Sequence, residues 1–455
     1  MHFETKIIID NIADSIINQH LCVFCGAGAT ADANNIMWSD LLKQELDLLD
    51  DSSITDYYKV AKYYEMHFGR DKLVNSVISS LESCKASNHI NKLIQLPILE
   101  FWTTNFDTII EDMITSKYGK ATVIYNKNNL FQIKGGHTVY KMNGTIKDSR
   151  SLVLTTDDYS QYYINQDQLV NHLKIKLIMN SFLFIGYSFN DNLVLKCLND
   201  IKNSKIALTH FHYRFVKYDE KNKILLLNEQ KYFETSFNIK TIFVNDFEEI
   251  DEIIDAIKKE IDMKNIFISG SFRNLNSKEE DRANLICNEL TNKLLENGYI
   301  IHTGNGKNLG SYIISNTTIN SNKYNYNINQ KLKIKQLISH DFFKVKNKKM
   351  REQKRIINKM LSNCKTIIFL YGQYIDNSIS KGMLTEYEEA KKHNMILIPI
   401  PSTNYAAEHI FNTIVQENKL DYIIKFKDEL KEAFSPEEIS NVVLKIIKYL
   451  ELNKE

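Results

Sequence analysis

The stretch Leu21–Thr30, LCVFCGAGAT, is the one whose reading decides the fold. Leu21 to Phe24 is a short apolar run of the length of a buried strand, and it passes directly into Gly26-Ala27-Gly28-Ala29-Thr30. Small residues in such a turn let backbone N–H groups come close to a phosphate. The polar, helix-like Trp38–Asp50 follows. Strand, glycine turn and helix together are the context that gives a Gly-x-Gly its meaning, because alone it is also an ordinary tight turn.

The same handover recurs downstream. Leu99–Thr103 reads as a strand that ends in Thr104-Asn105-Phe106-Asp107, with a helix from Thr108. Val139–Met142 ends at Asn143-Gly144, and Phe182–Ile185 ends at Gly186-Tyr187-Ser188-Phe189-Asn190-Asp191 before a helix to about Asn203. Further strands are predicted at Phe211–Val216 and Lys240–Val244, and a helix at Phe247–Ile261. Strands that end in Gly, Asn, Ser or Asp and pass into helices describe an open parallel sheet, with ligands at the carboxyl ends of the strands. Thr5–Gln19 has helical spacing, and Trp38–Cys84 reads as a helical insertion. Its stripes, Tyr57/Val60/Ala61/Tyr64 and Leu73/Val74/Val77/Ile78/Leu81, suit core or subunit contact.

Near Asp262-Met263-Lys264 the pattern restarts. Asn265–Ser269 is a strand leading to Gly270-Ser271-Phe272-Arg273, and Ser277–Asn297 is a long helix. Tyr299–His302 leads to Thr303–Gly310, Lys365–Leu370 to Tyr371-Gly372, and Met395–Ile400 is the last strand. The expected organisation is two Rossmann-like α/β domains, residues 1–262 and 263–455. Ser315–Gln330, rich in Asn, Tyr and Ser, reads as a loop.

Composition narrows the function classes. The 455 residues are 43% hydrophobic and 25% charged, as in an ordinary globular protein. A net charge of +1 implies no broad basic face for nucleic acid. No apolar run approaches the ~20 residues that span a bilayer, and MHFETKIIIDNIADSI lacks the uninterrupted apolar region of a signal peptide. A cytoplasmic protein is expected. Of the six cysteines, only Cys22 and Cys25 have C-x-x-C spacing. A four-cysteine zinc site needs a second pair, and alternation along a strand points these two to opposite faces. They read as small buried apolar residues, with no metal and no disulfide framework.

Four stretches of the first half, GAGAT at Gly26–Thr30, TTNFD at Thr103–Asp107, KMNG at Lys141–Gly144 and GYSFND at Gly186–Asp191, occur in the order of one family. Together they resemble the NAD-binding sirtuin fold, over roughly residues 1–260. Sirtuin deacylases carry a zinc module with two cysteine pairs. This chain has none, and so is similar to the zinc-free sirtuin-like domains that hydrolyse NAD. The resemblance implies an NAD site with a pyrophosphate cradle at Gly26, Ala27, Gly28 and Thr30, with Thr104 and Gly186 as further cofactor-binding residues and Ser188, and Asn190 with Asp191, against the adenosine ribose. Cleavage of the nicotinamide–ribose bond passes through an oxocarbenium-like state and needs a held water. Asn105 can both donate to and accept from water and ribose hydroxyls. Asp107 could hold the carboxamide or orient Asn105. Both also suit a turn or a helix N-cap, and Ser188, Asn190 and Asp191 equally suit a cap.

Asn143 departs from this pattern, since sirtuin-like sequences usually have His there. Imidazole takes a proton near neutral pH and an amide does not. Three readings stay open: an introduced replacement that traps NAD, a natural residue with chemistry carried by positioning and Asn105, or a domain that only binds. His137 is six residues upstream, at the opposite end of the same strand.

The second half resembles the SLOG family of Rossmann-like nucleotide sensors, in ISGSFR at Ile268–Arg273, TGNGKNLG at Thr303–Gly310, LYGQ at Leu370–Gln373 and SKGMLTEYEEA at Ser380–Ala390. The resemblance implies an activator pocket. Gly270, Ser271, Gly304, Gly306 and Gly372 would form its cradle, Arg273, Arg355 and Lys381 would neutralise phosphates, and Gly382 with Glu386 would meet ribose hydroxyls. Lys344–Arg355 is also a plain solvated basic helix face. The fusion of the two halves resembles the NAD-cleaving effectors of Thoeris antiphage systems. That implies NAD+ as substrate, hydrolysed to ADP-ribose and nicotinamide when a cyclic ADP-ribose isomer, made by a TIR-domain partner, binds the SLOG domain. It also implies a homotetramer. Alternatives are a non-catalytic nucleotide sensor, a deacylase, and a phosphoribohydrolase in the second half.

Overall fold

The computed structural model describes residues 3–29, 56–81, 84–189, 192–304, 308–334, 346–374 and 378–453. Thr30, Asn190 and Gly306, and the predicted helix Trp38–Asp50, lie outside the described residues. The chain divides into two compact units, Met1–Lys258 and Lys259–Glu455.

The first unit holds β1 (Leu21–Cys25), β2 (Glu100–Thr103), β3 (Thr122–Ile124), β4 (Thr138–Lys141), β5 (Ser181–Ile185), β6 (His212–Lys217) and β7 (Ile239–Val244). Their order is β3-β4-β2-β1-β5-β6-β7, and every neighbouring pair is parallel. The second unit holds β8 (Asn265–Ser271), β9 (Ile300–Thr303), β10 (Leu332–Ile334), β11 (Thr366–Tyr371) and β12 (Ile396–Pro399), in the all-parallel order β10-β9-β8-β11-β12. Both sheets therefore reverse direction beside their first strand, between β1 and β5 and between β8 and β11. Open α/β sheets bind ligands at such reversals.

Burial explains the strands. All five residues of β1 are buried, with Phe24 level with Trp102 on one side and Phe184 on the other. Trp102 stacks on Tyr140 with centroids 3.9 Å apart. Strands covered on both faces read as continuous apolar runs, which is why they were legible. β3 and β10, three residues each, carry too little pattern to predict.

The insertion stripes form two helices, Tyr57–Phe68 and Arg70–Leu81. Val60, Ala61, Leu73, Val74, Val77 and Leu81 are buried in one cluster with Phe106, Leu152 and Leu154. The insertion thus packs on Phe106, in the turn that carries Asn105.

Ser315–Gln330 is not a loop. Helix Leu309–Lys323 runs through its first half, followed by a short helix, Ile328–Lys331. Asn316 and Asn320 lie on one face at i, i+4. Asn316 donates to Asn284 Oδ1 at 2.8 Å, and Asn320 donates to the Asn288 carbonyl at 3.1 Å and to Thr291 Oγ1 at 3.0 Å, all on helix Ser277–Glu296. Polar composition misled because the face that buries is itself polar.

Among the described residues no helix is long and apolar enough to cross a membrane. All six cysteines are free thiols, and Cys22 and Cys25 are both buried.

Candidate functional site

At the β1–β5 reversal two glycine turns lock together. The Gly26 N–H donates to the Ile185 carbonyl at 3.0 Å and the Gly28 N–H to the Gly186 carbonyl at 2.9 Å. A Cβ on Gly26 would sit 2.4 Å from the Gly186 oxygen, and one on Gly186 only 1.8 Å from the Ala29 nitrogen. The glycines are thus required by the packing of loop on loop. This corrects the expectation that Gly26 and Gly28 present free N–H groups to a phosphate: both donors are committed inside the protein, and what the turn offers is close approach over small residues. Ser87, which caps helix Asn88–Leu93, donates from Oγ to the Ala29 carbonyl at 2.6 Å and pins the far end of the turn. Ser87 carried no signal in the sequence.

The turn after β2 joins this loop. The Asn105 amide donates to the Gly26 carbonyl at 3.2 Å, and its backbone N–H donates to Thr103 Oγ1 at 2.9 Å. Thr104 and Asn105 are half-buried, whereas Gly186 and Ser188 are exposed at the end of β5. Asp107 is buried, and its carboxylate accepts the Ile109 N–H at 3.0 Å. Asp107 stands one residue before Thr108, which is the N-cap of helix Ile109–Tyr118, so it is not the cap itself, and it does not hydrogen-bond Asn105 among the described residues.

The β4 turn is tied to the β2 turn by its backbone. The Met142 N–H donates to the Thr103 carbonyl at 2.8 Å, and the Ile146 N–H to the Phe106 carbonyl at 3.1 Å. Asn143 is 6% exposed and its carbonyl accepts the Val153 N–H at 2.9 Å. Gly144 has φ +91°, and a Cβ there would lie 2.2 Å from the Ser151 carbonyl oxygen. His137 precedes β4 at the end away from Asn143 and stacks on Tyr118 at 3.9 Å. Burial and Lys117 lower its pKa, and it does not replace a base at 143.

Charge is concentrated beneath these turns. Lys141, 1% exposed, donates from Nζ to the Asp107 carbonyl and lies 3.4 Å from Glu111 Oε1. Burial raises the Glu111 pKa, against the pull of Lys141. Burial also raises the thiols of Cys25 and Cys84, with the Asp107 charge adding to both. Among the described residues no group of three or more His, Cys, Asp or Glu could hold a metal ion.

In the second unit, the β8–β11 reversal gathers Gly270, Ser271, Arg273, Gly372 and Glu386. A Cβ on Gly270 would lie 2.1 Å from Leu309 Cδ2, and one on Gly372, at φ +94°, 2.4 Å from Ala406 Cβ. The Ser271 carbonyl accepts the N–H groups of Gly372 and Gln373 at 2.9 and 3.0 Å. Buried Gln373, the last residue of the LYGQ stretch, accepts the Arg273 and Asn274 N–H groups and donates to Tyr405 OH at 3.1 Å. The Arg273 guanidinium lies over the Tyr374 ring at 5.0 Å. Ser269 donates to the Glu386 carboxylate, whose pKa burial pushes up to about 7. Lys381 and Gly382 are exposed at the start of helix Lys381–Lys392, and Gly304 is half-buried after β9. Nothing nearer than Ser380 Oγ at 3.8 Å would meet a Cβ on Gly382. Arg355 is exposed on helix Lys346–Leu361.

Two parallel α/β sheets, each with its glycine turns at the strand reversal, define a chain of two nucleotide-type domains, SIR2-like and then SLOG. A SIR2-like domain model matches residues 99–242, and the model of the Sir2- and TIR-associating SLOG family matches residues 249–450. Over nearly its whole length the chain is similar to NAD(+) hydrolase ThsA. The Bacillus cereus (strain MSX-D12) protein is 28% identical over 98% of both chains. Those of Acinetobacter baumannii (strain 532279) and Enterococcus faecium are each 28% identical, over 95% of this chain and 94% of theirs.

Proposed function

We propose that this protein is an antiphage effector that hydrolyses NAD+ to ADP-ribose and nicotinamide in the cytoplasm when a cyclic ADP-ribose isomer binds its SLOG domain. The isomer comes from a TIR-domain partner, the working form is a homotetramer, and the outcome is depletion of cellular NAD. The observation that carries the reading is the hydrogen bond from the Asn105 amide to the Gly26 carbonyl. It sets the residue best suited to hold water against ribose beside the glycine turn, in a chain similar from end to end to NAD hydrolases.

The chemistry follows from charge. As the nicotinamide–ribose bond breaks, positive charge moves from the pyridinium to the ribose carbon. Beneath the turns lie one buried ammonium, Lys141, and two buried carboxyl groups, Glu111 beside it and Asp107 on the Ile109 N–H, so the floor of the site carries excess negative charge when both carboxyls are ionised. Such preorganised charge stabilises a developing cation. Asn105 orients water and the ribose hydroxyls. Asn143 can hold a hydroxyl but cannot take its proton, and a missing general base typically costs on the order of 100- to 10,000-fold in rate.

Asn143 also favours a second reading, a sensor that binds NAD without turning it over. The two are separated by NAD consumption of the unaltered chain and of Asn143→His, with and without a cyclic ADP-ribose isomer. The enzyme reading expects slow, activator-dependent hydrolysis that the His variant accelerates about 100-fold or more. An inactive His variant that holds intact NAD with every activator tried would leave the sensor reading standing.

A further inference from the structure

Lys141 belongs to the KMNG motif, yet nothing in the chemistry above assigns its side chain a task beyond its charge. It is a fully buried lysine at the last position of β4, and buried lysines occur almost only when paired. Its partners come from the other site turn: the Asp107 carbonyl and Glu111 Oε1, the latter 3.4 Å away. Asn105 is two residues before Asp107, and Asn143 is two residues after Lys141.

Stability does not explain the pair. Replacing a buried ion pair by apolar residues of similar volume is often neutral or stabilising. Glu111 makes a poor partner for a purely structural pair, because neither carboxylate oxygen gains a hydrogen bond at that distance. The ammonium also sits at the start of helix Ile109–Tyr118, where the helix dipole disfavours a cation. What the arrangement does provide is a third tie between the two turns, in addition to the Met142–Thr103 and Ile146–Phe106 backbone bonds.

We propose that Lys141 is a positioning residue: its buried ammonium, bonded to the Asp107 carbonyl with Glu111 as its counter-charge, holds the turn bearing Asn105 and Asp107 against the turn bearing Asn143. The proposal rests on the NAD-cleaving reading of the site. A displacement of about 1 Å at a reacting group can cost about 100-fold in rate with little effect on binding.

The test uses the full chain carrying Asn143→His, and compares Lys141→Met with the double variant Lys141→Met/Glu111→Leu. The single variant leaves a buried carboxylate alone and can fail to fold; the double variant replaces the pair by two apolar side chains. The expected result is a double variant that melts with its parent, with kcat about 100-fold lower and KM within about threefold. A merely structural pair would be rescued by the apolar replacement, so recovery of kcat to within threefold of the parent overturns the proposal, as does a KM that rises in step with the loss of kcat. Amide exchange reads the tie without NAD. In the double variant of the otherwise unaltered chain, the Asn105 and Ile146 amides should exchange at least about tenfold faster, with β7 unchanged. Unchanged exchange at Asn105 and Ile146 overturns the proposal too. Faster exchange there, with a parent that neither binds nor cleaves NAD, defeats the functional reading and leaves the tie standing.

Discussion

Gly186→Ala is the sharpest test of how the first unit builds its site. Gly186 has φ +60°, so an alanine pays the left-handed penalty of about 1–2 kcal/mol. Its Cβ would also sit 1.8 Å from the Ala29 nitrogen, 2.3 Å from the Gly28 carbonyl carbon and 2.7 Å from the Ala29 Cα. All three are backbone atoms, so no side chain can swing aside. The two turns must separate, at an overpacking cost of about 1–3 kcal/mol. The Gly28–Gly186 hydrogen bond would be lost with them, at about 0.5–1.5 kcal/mol more. The expected destabilisation is roughly 2.5–6.5 kcal/mol, the sum of these contributions. Gly119→Ala supplies the control: φ is +84° at the end of helix Ile109–Tyr118 and nothing lies within 4 Å of a Cβ, so only the backbone penalty of about 1–2 kcal/mol applies. Both tryptophans, Trp38 and Trp102, precede residue 258, so tryptophan fluorescence in a urea titration reports the first unit alone. Calorimetry with NAD should show binding lost in Gly186→Ala and kept in Gly119→Ala. If the two variants unfold within about 1 kcal/mol of each other, the loop-on-loop account of the glycines is wrong.

Two further outcomes concern the second unit. Glu386, with its pKa raised to about 7 by burial, folds more readily as the neutral acid. The cost of ionising it is absent below the ordinary carboxyl range near pH 4, grows as pH rises, and is complete above about 7. Glu386→Gln keeps a partner for Ser269 and should leave stability unchanged at pH 4 but gain roughly 3 kcal/mol by pH 8, read from native-state exchange of β8 and β11 amides; an equal effect at both pH values refutes the assignment. Asn320→Ala removes the amide's bonds to the Asn288 carbonyl, which keeps Thr291 Oγ1 as a donor, and to Thr291 Oγ1, and should cost about 0.5–1.5 kcal/mol in thermal melts, with faster exchange along helix Leu309–Lys323; unchanged protection there would mean the asparagine ladder is incidental.

What the sequence disclosed, and what it hid, follows from burial. β1, β2 and β5 were legible because strands covered on both faces are apolar without interruption, and their carboxyl ends stand out as abrupt changes to Gly, Asn and Asp. Asn105 was legible for the same reason, at the foot of such a strand. The true task of Gly26 and Gly28 was not, because a glycine needed by another loop and one needed by a phosphate look identical in one sequence. Helix Leu309–Lys323 was hidden because apolar periodicity detects only apolar faces, and beyond Leu309 and Ile313 its buried face is Asn316, Thr317, Asn320 and Ser321. Ser87, Gln373 and the Lys141–Glu111 pair act through contacts between residues far apart in the chain, for which local pattern holds no signal.

Asn143 gains a more definite meaning from its turn than from its identity. Its backbone is fixed from both sides: the Gly144 N–H donates to the Lys141 carbonyl at 3.3 Å, and the Val153 N–H donates to the Asn143 carbonyl at 2.9 Å. Neither bond involves the side chain, and Gly144, at φ +91° against the Ser151 carbonyl, sets the turn whatever precedes it. Asparagine and histidine at 143 therefore start from one backbone position and differ in proton chemistry. Asn105, the other amide of the site, is instead held by its side chain, on the Gly26 carbonyl. On the proposed function the two positions would divide the work: 105 would belong to the frame that binds, and 143 to the step that turns over. Changing 143 should then move kcat and leave NAD affinity within about threefold, whereas changing 105 should move both, because it also loosens the glycine turn. An Asn143→His variant that gains turnover only by binding NAD more tightly would show that this division is wrong.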